Sequence, residues 1–235
     1  MNSRPACILA LGLILASAVL AWALYASRLP QNSIEATGSA RVKVVSDVAK
    51  WRGSIFRTVA ETELKQGFAQ LRGDLQALKA FFQAAGLPET AVEIQPINME
   101  QVYQQNPTAP REQTLRQGFT VTATDTAKLT GLALDNQTLM DQGVQLTTYS
   151  LEYYVSRLPE MRVELLGQAV KDARRRAEEI ARSDGRGVGP LQSARIGVVQ
   201  VLAPNSVEVS GSGAYDTSTV DKEVMVTVRA EFAVR

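Results

Sequence analysis

The stretch Asp172–Leu191, DARRRAEEIARSDGRGVGPL, places three arginines in a row ahead of three glycines in five residues. Two readings compete for it. Glycines that follow a strand and open a helix form an anion-gripping turn, as in doubly wound nucleotide binders. Glycines that follow a helix and lead into a strand simply end that helix. The apolar residues decide between them. Leu166, Ala169, Val170, Ala173, Ala177 and Ile180/Ala181 recur at helical spacing before Gly185, and Pro190 lies just beyond it. The spacing predicts a helix over Glu160–Ser183, opened by Pro159, with Gly185 in the positive-φ position after its last turn. No Gly-Lys-Ser/Thr follows, so the phosphate-loop pattern fails as well. The arginines fit the same reading. Asp172–Arg176, Arg174–Glu178 and Arg175–Glu179 are each four residues apart, which predicts an ion-paired solvent face and not an anion clamp.

Outward from this helix, strand and helix signals alternate in pairs. SIEATGSARVKVVSD reads as one or two strand segments with Gly38 as a break, and KWRGSIFRTVAE as another strand anchored by Trp51, Ile55 and Val59. Leu64, Phe68, Leu71, Leu75, Leu78 and Phe82 then form one stripe of an amphipathic helix over about 61–85, stopped by Gly86-Leu87-Pro88. AVEIQPINMEQVYQQ is a strand interrupted by Pro96, hence an edge or a bulge, and LRQGFTVTATD pairs back on it as a hairpin. TAKLTGLALDNQTLMDQG reads as one short helix ending at Gly143, and VQLTTYSLEYYVS as a strand of strong β-formers. LQSARIGVVQVLAP and KEVMVTVRAEFAV are the last two strands. The order β-β-α-β-β-α-β-α-β-β predicts an α+β fold, with antiparallel or mixed sheets and three packed helices.

The N-terminal run ACILALGLILASAVLAWALYA, Ala6–Ala26, holds 21 residues without a charge, closed by Arg28 and Pro30. A bilayer core takes about 20 apolar residues as helix. A cleaved signal peptide has a shorter apolar core, and ASA at Ala16–Ala18 resembles its cleavage site. The run continues past that point through Val19, Trp22 and Tyr25, which favours an uncleaved anchor with an interfacial aromatic belt. A buried core helix is the third alternative, although no face of the run is polar. Residues 1–30 are thus expected to be a single-pass anchor and 31–235 an exported domain. The expected location is the inner or cytoplasmic membrane, with that domain in the periplasm or outside the cell.

Composition narrows the chemistry. The 235 residues are 45% apolar, with 25 Lys+Arg against 24 Asp+Glu, no histidine and one cysteine, Cys7, inside the apolar run. A near-neutral chain does not suggest a nucleic-acid binder. Without histidine the usual general base of Ser-His and Cys-His sites is missing, together with the commonest metal ligand. Of the carboxylates, Asp216 with Asp221 and Glu178 with Glu179 are pairs whose spacing alone gives neither separation nor pKa. They read as loop and surface charge. Ser210-Gly211-Ser212-Gly213 is a flexible link within the polar loop NSVEVSGSGAYDTSTVD. Tyr149, Tyr153 and Tyr154 are candidates for a binding face. Simple alternation puts Tyr149 and Tyr153 on one side and Tyr154 on the other. No catalytic, cofactor or metal residue is nominated.

Three segments carry a family resemblance. IEATGSARVKVVSDVAKWRGSI, with its Asp47-Val48-Ala49 step, resembles the opening of SIMPL-domain proteins. LLGQAVKDARRRAEEIARSDGRGVGPLQSARIG resembles that family's alanine-spaced helix, glycine turn and strand. VQVLAPNSVEVSGSGAYDTSTVDKEVMVTVRAEFAV resembles the end of one bacterial branch. The resemblance implies secreted or envelope-anchored bacterial proteins, often called periplasmic immunogenic proteins. Some of these assemble into rings or hollow oligomers, with suggested links to oxidative stress, and none has accepted catalytic residues. The resulting expectation is a non-enzymatic, membrane-anchored homo-oligomer that associates through sheet edges or helix faces, without cofactor. The alternatives are an extracytoplasmic binding module of unknown ligand and a hydrolase with two carboxyls in one cleft.

Overall fold

The computed structural model describes residues 4–27, 32–103, 110–206 and 211–235. The elements run α1 (Arg4–Ser27), β1 (Ser33–Val45), β2 (Val48–Ala60), α2 (Leu64–Ala84), β3 (Val92–Gln101), β4 (Glu112–Ala123), α3 (Thr126–Leu134) and α4 (Gln137–Asp141). Then follow β5 (Leu146–Tyr154), α5 (Leu158–Ser183), β6 (Val188–Ile196), β7 (Gln200–Leu202) and β8 (Asp221–Val234). The class is α+β with two antiparallel sheets, one ordered β3-β4-β2-β5 and the other β1-β8-β6 with β7 also on β8. Contacts divide the chain into two compact units. One comprises Met1–Gly38, Val170–Arg195 and Val228–Arg235; the other comprises Ser39–Ala169 and Ile196–Thr227.

In the larger unit, β2 is the central strand, antiparallel to both β4 and β5. Alternate residues of β2 therefore share one face. Trp51 and Ile55 on that face are fully buried, with Phe119 and Val121 from β4 and Leu71, Leu78 and Phe82 from α2. The Trp51 ring meets Phe82 and Phe119 edge-on, with centroids 5.7 and 5.3 Å away. Its indole N–H donates to Thr148 Oγ1 at 3.1 Å, so the polar edge of this buried ring is satisfied. Gly53 is required here. A Cβ at this position would lie 2.6 Å from the Phe119 ring and 2.7 Å from the Thr147 carbonyl oxygen.

The smaller unit is built on small residues. Ala173, Ala177 and Ala181 of α5 are buried, as are Ala36 of β1 and Val228, Ala230 and Phe232 of β8. Alanines every fourth residue bring a helix backbone close to its neighbour at little entropic cost. The Arg174 guanidinium lies over the Phe232 ring at 5.8 Å.

The glycine run resolves as the sequence predicts. Gly185 has φ +70°. Arg186 N–H donates to Ala181 O and Gly185 N–H to Arg182 O, the paired bonds of a Schellman ending. Gly187 and Arg235 then exchange two backbone hydrogen bonds, which lead the chain into β6. A Cβ at Gly189 would approach Ala233 Cβ at 3.1 Å.

Five expectations need correction. Gly38 does not break β1, which runs through it as one strand. The predicted helix over 126–143 is two, α3 and α4, because Asp135-Asn136 leaves the helical region between them. The packed helices are therefore four and not three. The strand 191–204 divides into β6 and β7. On α5 the apolar stripe follows Leu165, Ala169, Ala173, Ala177 and Ala181, and Ile180 points outward at 52% exposure. Of the predicted ion pairs, Arg175–Glu179 does not form; Arg175 joins Asp172 and Glu179 joins Arg182.

α1 is one continuous helix of 24 residues. Its described side chains, at 12–23 and 25, are all exposed. Among the described residues, no helix is long and apolar enough to cross a membrane.

Candidate functional site

The sequence candidates turn out to hold the fold together. Asp216 accepts hydrogen bonds from the backbone N–H and hydroxyl groups of both Ser218 and Thr219, and from Lys222 Nζ at 3.2 Å. Burial pushes this carboxyl up, but those donors outweigh burial and hold it far below the usual carboxylate range. The Lys222 side chain is fully buried, and burial depresses its pKa against the pull of Asp216. The Lys222 ammonium also donates to Asp216 O at 2.5 Å. Asp221 is turned elsewhere, lining a shallow recess of about 320 Å³ with Lys43, Val45 and Pro204. Asp216 thus organises the turn that carries Ser218 and Thr219. Glu178 and Glu179 are engaged with Arg174 and Arg182 on the exposed face of α5. Of the Ser210–Gly213 link, Ser210 lies outside the described residues.

Two further carboxylates do similar work. Asp47, in the Asp-Val-Ala step between β1 and β2, accepts from the Ser156 N–H at 2.7 Å and from the Ser156 hydroxyl. Burial raises this carboxyl, and the Ser156 bonds more than offset it, so its pKa is lowered. Asp74, on the buried face of α2, pairs bidentately with Arg57 at 2.6 and 2.7 Å. Arg57 also donates to Gly143 O at 2.7 Å, which ties β2, α2 and the end of α4 at one point. Sequence reading missed Asp74. The available signal is its register, three residues after Leu71 and four before Leu78 on the apolar stripe.

The tyrosines depart from simple alternation. The β2–β5 register shifts between Arg52 and Gly53, so Tyr149 is an extra residue that faces neither partner directly. Such a bulge redirects side chains. Tyr153 remains buried, and its hydroxyl shares a hydrogen bond with Thr130 at 2.8 Å. Tyr149 is sent to the opposite face, the outer one, along with Tyr154. There its hydroxyl meets Ser54 Oγ at 2.7 Å, and Arg116 Nη1 donates to both oxygens at 2.9 Å. The Arg116 guanidinium lies over Phe56 at 5.2 Å. Nearby, the Tyr154 hydroxyl donates to Glu152 at 2.6 Å, which lowers the Glu152 pKa and raises that of Tyr154.

The other surface feature is the sheet β1-β8-β6, whose end strands each keep one edge without a strand partner among the described residues. In β6, Pro190 through Ile196 are all exposed, with Leu191 at 45% and Ile196 at 65%. Pro190 has no N–H to offer a ladder, as suits an edge strand. In β1, Val42 and Val45 are exposed. β3, the edge of the other sheet, is irregular between Ile94 and Ile97, around Pro96, as the sequence predicts.

No curated protein matches the chain. A family model does, SIMPL, described as a protein of unknown function (DUF541), over residues 34–232. The match covers most of the chain, and the chain belongs to the SIMPL family.

Proposed function

We propose that this SIMPL-family chain is a non-enzymatic envelope protein, tethered by α1 to a membrane and assembled into homo-oligomers through the edges of its β1-β8-β6 sheet. The observation that carries this reading is the pair of edges, at opposite ends of one sheet, that have no strand partner among the described residues. Unpaired strand edges template pairing with another chain. A β6 edge of one copy meeting a β1 edge of the next would use two different surfaces. Heterologous contacts of this kind close into rings when the rotation permits. The engaged carboxylates support a non-enzymatic role, since Asp47, Asp74 and Asp216 each spend their oxygens on structural donors.

The tether rests on α1 and its sequence. The uncharged run Ala6–Ala26 holds 21 residues, and a bilayer core takes about 20 apolar residues as helix. The Ser17 hydroxyl donates to Ile14 O at 2.9 Å, within the helix, so that group needs no water. Trp22 and Tyr25 fall near the end of the apolar run, where interfacial aromatics belong.

Membrane extraction tests the tether. The full chain is expected to stay in the membrane fraction at high salt and alkaline pH and to be released by detergent. Release by alkali would remove the tether from this reading. Placing lysines at Leu191 and Ile196 tests the edges, because inward or edge charges oppose strand pairing. The double variant is expected to fall to monomer with its melting temperature unchanged.

A further inference from the structure

We propose that the outer face of the β3-β4-β2-β5 sheet binds a carboxylate-bearing sugar, with Arg116 as ligand of the carboxylate and Tyr149 as platform for the sugar ring. Four observations lead there. First, Arg116 has no carboxylate within salt-bridge distance among the described residues, while its outer-face neighbour Arg52 is paired with Glu152. A partly buried guanidinium whose fork faces no carboxylate can take one up in bidentate fashion. Second, Arg116 is held in place. Its Nη1 serves Ser54 and Tyr149, its plane rests on Phe56, and Ser54 is fully buried. Among the described residues, that leaves Nε and Nη2 without an acceptor, the planar edge that matches a carboxylate in bidentate fashion.

Third, Tyr149 is 58% exposed while its hydroxyl is fixed. The β5 bulge is what turns it to this face. A rigid exposed aromatic ring offers an apolar plane to the C–H face of a pyranose at low entropic cost. Fourth, hydroxyls border the cation. Thr58 and Thr114 lie on the same face and are bonded to each other at 3.0 Å, one alternate position along β2 from Phe56 and along β4 from Arg116. Hydroxyl partners suit a polyol. A phosphate would call for a second unpaired cation, and Arg52 is engaged with Glu152 at 3.5 Å.

The site is independent of the tether and of assembly, so either can fail without affecting it. The test is calorimetric titration of the full chain, in detergent micelles, with trigalacturonate, its methyl ester and a neutral dextran trisaccharide. Trigalacturonate is expected to bind at least tenfold more tightly than its ester, with dextran weakest. Arg116→Lys keeps the charge but loses the fork and is expected to weaken trigalacturonate tenfold or more. Tyr149→Ala is expected to weaken ester and acid alike. Tyr149→Phe keeps the ring and removes the hydroxyl, and so retains most ester binding. Unchanged melting of the Lys and Phe variants shows that folding is not the cause. Absence of binding at millimolar ligand, equal binding of acid and ester, or indifference to Arg116→Lys would each overturn the proposal. Acetate binding as tightly as trigalacturonate would overturn the sugar platform.

Discussion

Removing the Asp74 carboxylate leaves Arg57 facing a buried surface with only one carbonyl acceptor. Asp74 is 7% exposed at its side chain and Arg57 23%. Breaking a buried pair from one side costs about 3–5 kcal/mol. Asp74→Ala is therefore expected to lower unfolding stability by about 3 kcal/mol in denaturant titration. A loss under about 1 kcal/mol, the scale of exposed pairs, would mean that water already reaches the pair. Gly53→Ala tests packing instead. Its Cβ would overlap a backbone oxygen and a buried ring, an overpacking that costs about 1–3 kcal/mol. Acid tests Asp216 and Asp47. Both folded-state pKa values are depressed. Their stabilisation is thus complete above the unfolded value of about 3.9 and is lost as pH falls through the lower folded values. Stability should fall steeply below about pH 4, and Asp216→Asn should be less stable at pH 7 with a shallower acid slope. Parallel curves for the two proteins would assign the acid loss to other groups. At this scale the sequence is readable where backbone geometry forces a residue type, as at Gly185. It does not name the partner where a residue distant in the chain decides, as for Arg57 with Asp74.

Elements are legible when their period is long and uninterrupted. α2 and α5 follow from apolar spacing with their proline and glycine boundaries, and the irregularity of β3 follows from Pro96. Short or locally perturbed elements are not. The break between α3 and α4 rests on two residues within a run of good helix formers. The β5 bulge leaves no trace in composition, yet it reverses the face of Tyr149. The outer face of the β3-β4-β2-β5 sheet was for that reason not predicted from Tyr149, Tyr153 and Tyr154. The N-cap of α3 offers an element-level test. Asp125 accepts from the Lys128 N–H at 2.9 Å, and Asp125→Ala is expected to cost about 1 kcal/mol. Amide exchange should then accelerate in α3 and leave α5 unchanged. Equal acceleration in both would make them one cooperative unit.

For the whole molecule, the sequence supplies class and family but not partners, because packing motifs identify a fold and leave its activity open. The near-neutral charge and the absence of histidine narrow the chemistry without naming a ligand. The proposed assembly joins copies through the β1-β8-β6 sheet. The molar mass of the full chain in detergent, by light scattering corrected for the micelle, tests it most directly. A single discrete multimer, reduced to monomer by the paired Leu191→Lys and Ile196→Lys substitutions, is the predicted result. A monomer at micromolar concentration, or a multimer indifferent to both substitutions, would contradict it.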